Sequence, residues 1–425
     1  MSGFESVIGY EESKAELMRY ADALQHPEKY KKLGLSMPRG VLLYGEPGLG
    51  KTTMAEAFVD FCKLPTFHLR KEKPSGDFIN EIRATFEKAR ESSPSIVFLD
   101  DMDKFANEDH NHRDASEYVA IQAGIDDSKE FDVFVIATAN DKRSFPDSLL
   151  RVGRFDKTIK LSVPTGSDSE KIIRYYLSQK NTIGDVEVEL IERLMEGRSC
   201  AELENVINEA GIYAGYAGRD QISQDDFLKA CLSMLYVKKN NDDFELFDGT
   251  INLDSPYIRE TAAHEVGHVV VSEILEPGSV SVVSINATGE GHFGTTIIRR
   301  PEGFLFSIEL LENDVIRKLG SRAALEVVFG KYDVLSETDM SEAAKLVSGL
   351  KGGYLGAGYM TGRVSDNLLE KSEYRVEVEV EKYYQKAVGI IVKNRELFDA
   401  IYEELLKKET LTYKDIAVIR ERINQ

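Results

Sequence analysis

The chain has 425 residues, too many for one compact core, so two or three domains are expected. Hydrophobic residues make up 42% and charged residues 30%, the balance of a soluble globular protein, and 53 Lys and Arg against 73 Asp and Glu leave a net charge of −20. That charge excludes nucleic acid or an anionic membrane as the main partner, because both need a basic footprint. Three widely spaced cysteines, Cys62, Cys200 and Cys231, offer neither a disulfide framework nor a Cys-x-x-Cys metal site. They read as buried small hydrophobes in a reducing, cytoplasmic compartment. No stretch has the uninterrupted apolar length of a membrane span, and no signal-peptide pattern opens the chain.

From residue 37 to 160, short β-branched runs alternate with helical patterns. Val41–Tyr44, Ile96–Leu99 and Val133–Ala137 read as buried parallel strands separated by crossover-length segments, which predicts a doubly wound α/β domain over 1–162. Ser162-Val163-Pro164-Thr165-Gly166 ends that pattern, and a small all-helical domain is expected over 163–237. Residues 238–255 are polar and turn-rich and read as a linker. The remainder, 256–425, reads as mainly helical with a strand-like insert near 279–300, and the Val/Glu alternation at 376–381 is taken as helix.

Gly45-Glu46-Pro47-Gly48-Leu49-Gly50-Lys51-Thr52 follows a predicted strand and precedes a helical pattern, the context a phosphate-binding loop needs. Its glycines let backbone N–H groups turn toward phosphate oxygens. Lys51 places a cation on the β- and γ-phosphates, Thr52 offers a magnesium ligand, and the helix N-terminus adds its dipole. A second apolar strand ends in Asp100-Asp101-Met102-Asp103, where Asp100 is placed to hold magnesium and Asp101 to orient the attacking water. ATP with Mg²⁺ is the expected ligand.

His264-Glu265-Val266-Gly267-His268 lies in a segment expected to run as an amphipathic helix from an N-cap at Ser255 and Pro256 through Ile274. Histidines four apart project from one helix face and can bind one zinc ion. Glu265 beside them can take a proton from the attacking water and deliver it to a leaving amine. Gly267 keeps the face small for close approach of substrate or backbone. A catalytic zinc needs a third protein ligand, and Ser336-Glu337-Thr338-Asp339 offers two candidates, Glu337 and Asp339, between which spacing cannot choose.

The run from Gly45 through Asp100 to Thr138-Ala139-Asn140 and Leu150-Arg151-Val152-Gly153-Arg154-Phe155-Asp156 resembles an AAA+ ATPase module. That resemblance implies a nucleotide site of Ile8, Gly45, Pro47, Gly48, Gly50, Lys51, Thr52, Thr53, Asp100 and Asn140. It also implies that Asn140 helps position the hydrolytic water and that Arg151 and Arg154 reach across a subunit boundary, hence a homo-oligomeric ring, expected to be a hexamer. The whole chain resembles the FtsH family of ATP-dependent zinc proteases, which implies Asp339 as third zinc ligand and protein substrates. It further implies a substrate-pairing edge strand at Gly291-His292-Phe293-Gly294-Thr295-Thr296; His292, a possible extra ligand by residue type, is read as a groove or surface residue.

Three departures from the family pattern carry expectations of their own. The membrane-anchoring segment is absent, as in a trimmed form of an anchored protein or a relative that never had one. Asp101 stands where the family has Glu, which predicts slow ATP turnover. The aromatic pore loop aligns with Pro74-Ser75-Gly76, so either Phe78 or the flanking Lys71 and Lys73 must supply the grip, or there is none. Two alternatives therefore stand beside the ATP-dependent protease: an ATP-gated peptidase for unfolded chains, and a non-proteolytic chaperone with a structural zinc site.

Overall fold

The computed structural model describes residues 3–72, 74–105, 115–240, 255–286, 294–299, 307–331, 336–354 and 366–424. The first elements are α1 (Glu11–Gln25), α2 (Pro27–Lys31), β1 (Gly40–Tyr44), α3 (Lys51–Cys62), β2 (Thr66–Leu69), α4 (Ser75–Glu91), β3 (Ser95–Leu99) and α5 (Ala115–Asp127). Next come β4 (Val133–Ala139), β5 (Lys157–Lys160), α6 (Gly166–Ser178), α7 (Val188–Leu194), α8 (Cys200–Tyr216) and α9 (Gln224–Asn240). The C-terminal part holds α10 (Pro256–Leu275), β6 (Val280–Ser284), β7 (Thr295–Ile298), α11 (Ile308–Phe329), α12 (Ser336–Tyr354), α13 (Asp366–Lys393), α14 (Arg395–Lys408), β8 (Thr410–Thr412) and α15 (Tyr413–Asn424). Residues 1–188 with 195–223 form one compact unit, and 189–194 with 224–425 form another.

The first unit is a doubly wound α/β layer structure. Its five strands are parallel in the order β2-β3-β4-β1-β5. Successive residues of a strand point to opposite faces, and here both faces are apolar and covered. Val41, Leu43, Ile96, Phe98, Phe134 and Ile136 pack with α1 and α3 residues such as Leu17, Met54 and Phe58. Leu42, Val97, Leu99, Val135 and Ala137 pack with Phe78, Ile82 and Phe86 of α4 and Ile121 of α5. Three of the five strands were expected. The sequence pattern passed over β2 and β5 because they are edge strands, half-buried and partly polar, with Lys157 and Lys160 as the first and last residues of β5. β3, β4 and β1 are neighbours, so their C-terminal ends bring Asp100, Asn140 and the phosphate loop to one place, where sheets of this kind bind ligands.

In the second unit α10 is the central helix. Pro256 is at its first position, but Ser255, at the N-cap, makes no side-chain capping bond. The helix is not amphipathic as expected: Thr261 through Gly267 and Val269 through Glu273 are all buried, so it is covered on every side. It packs with α11, α13 and α14 in one apolar core that includes Val266, Val270, Leu319, Ala324, Tyr384 and Phe398. A small antiparallel sheet, β7-β6-β8, lies against it, with β7 at one edge. The expected strand insert is thus β6 and β7, and the Val/Glu stretch is helical within α13.

Gly267 faces backbone here. A Cβ at 267 would stand 2.4 Å from the Gly320 carbonyl oxygen and 2.7 Å from Ala324 Cβ, so α10 and α11 cross with their main chains in contact. Gly267→Ala should gain about 1 kcal/mol of helix propensity but lose about 1–3 kcal/mol to overpacking against a carbonyl. A lower thermal midpoint is the expected result in calorimetry; an unchanged or raised midpoint would show that the crossing relaxes cheaply.

Candidate functional site

The phosphate loop joins β1 to α3 and ends at Gly50, which takes the left-handed backbone (φ 79°) that opens the helix at Lys51. Gly48 (φ 79°) meets the N-terminus of α8: a Cβ there would be 2.9 Å from Ala201 Cβ and 3.0 Å from Ser199 Oγ, and Ala201 N–H donates to its carbonyl at 3.1 Å. Lys51 is 7% exposed, and its ammonium donates to the Glu46 carbonyl (2.8 Å) and Asn140 Oδ1 (2.9 Å). Burial lowers its pKa, opposed by Asp103, Asp101 and Asp100. Asp100 Oδ1 accepts from the hydroxyls of Thr52 (2.9 Å) and Thr138 (2.8 Å). Asn140 Nδ2 donates to Asp103 Oδ2 at 2.9 Å, so Asp103, which the sequence offered only as part of an acidic run, orients the Asn140 amide.

Asp101 is in a left-handed conformation (φ 52°, ψ 47°). Its N–H donates to Thr138 Oγ1 at 2.9 Å, while its carboxylate accepts from Lys104 Nζ at 2.6 Å and lies 3.6 Å from Arg70. Ile8, Tyr10, Gly50, Thr53, Tyr176 and Cys200 line a cavity of about 200 Å³ next to the loop, so Ile8 and Thr53 share one cavity with Gly50. A larger cavity of about 360 Å³, lined in part by Leu24, Met37, Cys62 and Val133, opens at the N-terminal ends of the strands, the wrong end for ligand chemistry. Cys62 and Cys231 are buried as expected, and burial pushes both thiols up to about 12. Cys200 departs from expectation: it is half-buried and its sulfur lies 3.4 Å from the Tyr10 hydroxyl.

The two arginines differ. Arg151 is exposed beside Val152, which is 92% exposed. Arg154 is clasped within its own unit by Asp126, with Nε–Oδ1 3.1 Å and Nη2–Oδ2 2.7 Å, and by the Ser148 carbonyl. Of the alternatives for a grip, Phe78 is not available. Phe78 is 0% exposed and packs edge-on against Phe105, because it is part of the face α4 turns to the sheet. Ser75 and Gly76 are already helical, in the first turn of α4, and Lys73 lies outside the described residues.

In the second unit α10 and α12 bring three donors together. His264 Nε2 and His268 Nε2 lie 3.3 and 3.1 Å from the same oxygen, Asp339 Oδ2. Glu337, also in the first turn of α12, is exposed, so the fold selects Asp339. It is the one group of three or more metal-ligating side chains so assembled among the described residues. Tetrahedral zinc with bonds near 2.0–2.1 Å separates its ligand atoms by roughly 3.3 Å, which this spacing matches.

The hydrogen bonding makes the same case. His268 Nδ1 is 2.8 Å from the Arg317 carbonyl, a pure acceptor, so Nδ1 carries the proton. Neutral His268 then aims an Nε2 lone pair at a carboxylate oxygen, an arrangement that a cation between them relieves. In the absence of a cation a proton does the same. Burial works against that charge on His268, but Asp339 and, behind it, Glu265 raise its pKa overall. Burial likewise opposes ionisation of Asp339, yet His268 and His264 hold it far below the usual carboxylate range. Asp339 Oδ2 also accepts from Ser321 Oγ (2.9 Å), a partner with no sequence signal 18 residues away. Glu265 is 6% exposed, and Thr296 Oγ1 donates to its Oε2 at 2.7 Å. Gly291, His292 and Phe293 lie outside the described residues.

Comparison with known proteins places both halves. Residues 41–163 match the ATPase family associated with various cellular activities (AAA), and residues 253–419 match peptidase family M41. The chain is 29% identical to the ATP-dependent zinc metalloprotease FtsH 2 of Thermoanaerobacter sp., over 99% of this chain and 83% of that protein. It is 30% identical to ATP-dependent zinc metalloprotease FtsH of Thermotoga maritima over 96% of this chain and 71% of that protein. To the protein of that name in Thermus thermophilus it is 28% identical, over 97% of this chain and 69% of that protein.

Proposed function

The chain belongs to the FtsH family of ATP-dependent zinc metalloproteases, and from that premise we propose that it uses ATP to feed protein substrates to a zinc peptidase centre inside a homo-oligomeric ring, expected to be a hexamer. The observation that carries the proposal is the convergence of His264, His268 and Asp339 beside a buried, anchored Glu265. We assign zinc to those three ligands. When bound, zinc polarises the scissile carbonyl and makes water acidic enough to be activated near neutral pH. The protein's own part is separate. Glu265 takes the proton from the attacking water and passes it to the leaving amine, and β7, at the edge of its sheet, pairs with an extended substrate backbone, which makes cleavage tolerant of sequence.

At the other site, Gly45, Pro47, Gly48, Gly50, Lys51, Thr52 and Thr53 take the phosphates, Thr52 and Asp100 take magnesium, and Ile8 borders the base. Asn140 and Asp101 flank the attacking water. Arg151, exposed, is the arginine better placed to reach a neighbouring subunit; Arg154 must first leave Asp126. Domain limits of 1–162, 163–237 and 256–425 with a linker at 238–255 belong to this reading, although α9 runs on to Asn240 and the compact units divide at residue 224; a cytoplasmic setting fits three unpaired cysteines. No helix among the described residues is long and apolar enough to cross a membrane.

Burial of Phe78 favours a second reading, in which the ATPase gates a peptidase for unfolded chains and has little unfolding power. Casein and a stably folded, tagged protein, each with and without ATP, separate the two. ATP-dependent cleavage of the folded substrate is the expected result. Chelator-sensitive casein cleavage that ignores ATP, with the folded substrate intact, supports the gated peptidase. Cleavage of neither while ATP is turned over returns the chain to a chaperone with a structural zinc site.

A further inference from the structure

Thr296 pairs opposite Val283 in the β6–β7 ladder. Its hydroxyl lies 2.7 Å from Glu265 Oε2 and 3.2 Å from the Glu265 backbone carbonyl. A hydroxyl has one proton to give. The shorter contact ends on an anionic oxygen, and bonds of that kind are roughly twice as strong as neutral ones, so the proton goes to the carboxylate. Gly294 lies two residues back, on the same face of the extended chain. A Cβ at 294 would stand 2.6 Å from Glu265 Cγ and 2.8 Å from Oε1. One carboxylate oxygen is therefore tied by Thr296, and the other lies in the space that Gly294 leaves. Glu265 is only 6% exposed, so bulk water is poorly placed to substitute for that tie.

Resting on the peptidase reading above, we infer that Thr296 is a positioning residue: its hydroxyl fixes the rotamer of the Glu265 carboxylate, leaving Oε1 to handle the proton. The contact acts through the general base and not through the metal ligands, and it comes from β7, the edge strand that the peptidase reading assigns to substrate pairing.

The test uses the full chain loaded with zinc, casein as substrate, and Thr296→Val, Thr296→Ala and Thr296→Ser. The expected result is a kcat lowered roughly tenfold or more in the valine and alanine variants. KM, thermal midpoint and zinc affinity, measured by competition with a chromophoric chelator, should stay as in the parent, and serine should restore most of the rate. The alanine variant keeps the test decisive if valine, with its extra methyl beside a buried carboxylate, fails to fold. Parent-like kcat in both variants overturns the inference. So does a serine variant as slow as valine, or a rate loss that tracks weakened zinc binding or a raised KM. A parent chain that cleaves no casein with zinc bound overturns the peptidase reading itself, and is distinguishable because it precedes any variant.

Discussion

Glu265→Gln is expected to leave zinc bound and to lower peptide hydrolysis by roughly 10²- to 10⁴-fold, the usual range for removing a general base. The substitution keeps the size of the side chain. Its amide oxygen can still accept from Thr296 Oγ1, which now donates to Oε2 at 2.7 Å. What is lost is the ability to take a proton from water. Because His264, His268 and Asp339 form the donor set without Glu265, zinc content should be unchanged. ATP turnover should persist, since the phosphate site is built from other residues. Casein cleavage, zinc content by atomic absorption and ATPase rate, measured on one preparation, check all three. Retained cleavage would remove Glu265 as the base, and lost zinc would make it a structural residue of the site.

Asp101→Glu is expected to raise steady-state ATP turnover, by up to about 10²-fold, the effect of a misplacement near 1 Å. In the present chain the shorter carboxylate is drawn to Lys104 at 2.6 Å, with Arg70 at 3.6 Å, and its main chain is held by Thr138. Both cations are more than half exposed, so these pairs are weak and a longer side chain can leave them. Glutamate extends the carboxylate by one methylene from the same backbone position. An unchanged ATPase rate would show that Asp101 does not limit hydrolysis, and would move attention to Asp103, which orients Asn140 at 2.9 Å.

How much was legible depended on whether the signal was local. β1, β3 and β4 were readable because both faces of a central parallel strand are buried, which makes the run continuously apolar. β2 and β5 were not, because an edge strand needs only part of that surface. The phosphate loop and the His-Glu-x-x-His word were readable because their spacing is itself the geometry: four residues make one helical turn, and a loop of glycines precedes a helix start. The sequence left open whether Phe78, the flanking lysines or nothing supplies a grip, because one aromatic in a polar stretch looks available; its packing against Phe105 removes Phe78 from that choice.

By itself the sequence determined the two chemistries, their order along the chain, and the ligands that sit within one helix or one loop. Residue spacing left Glu337 and Asp339 open and the family resemblance pointed to Asp339; the tertiary structure brings Asp339 to the two histidines, because that depends on which face of α12 meets α10. It also decided that α10 is buried on all sides, that Gly267 answers the backbone of α11, that Arg154 is tied to Asp126, and that Thr296 donates to Glu265. The physical reason is the same in each case. Pattern encodes contacts a few residues apart, whereas these groups meet from 28 (Asp126 to Arg154) to 75 (His264 to Asp339) positions away, and only chain packing brings them into contact.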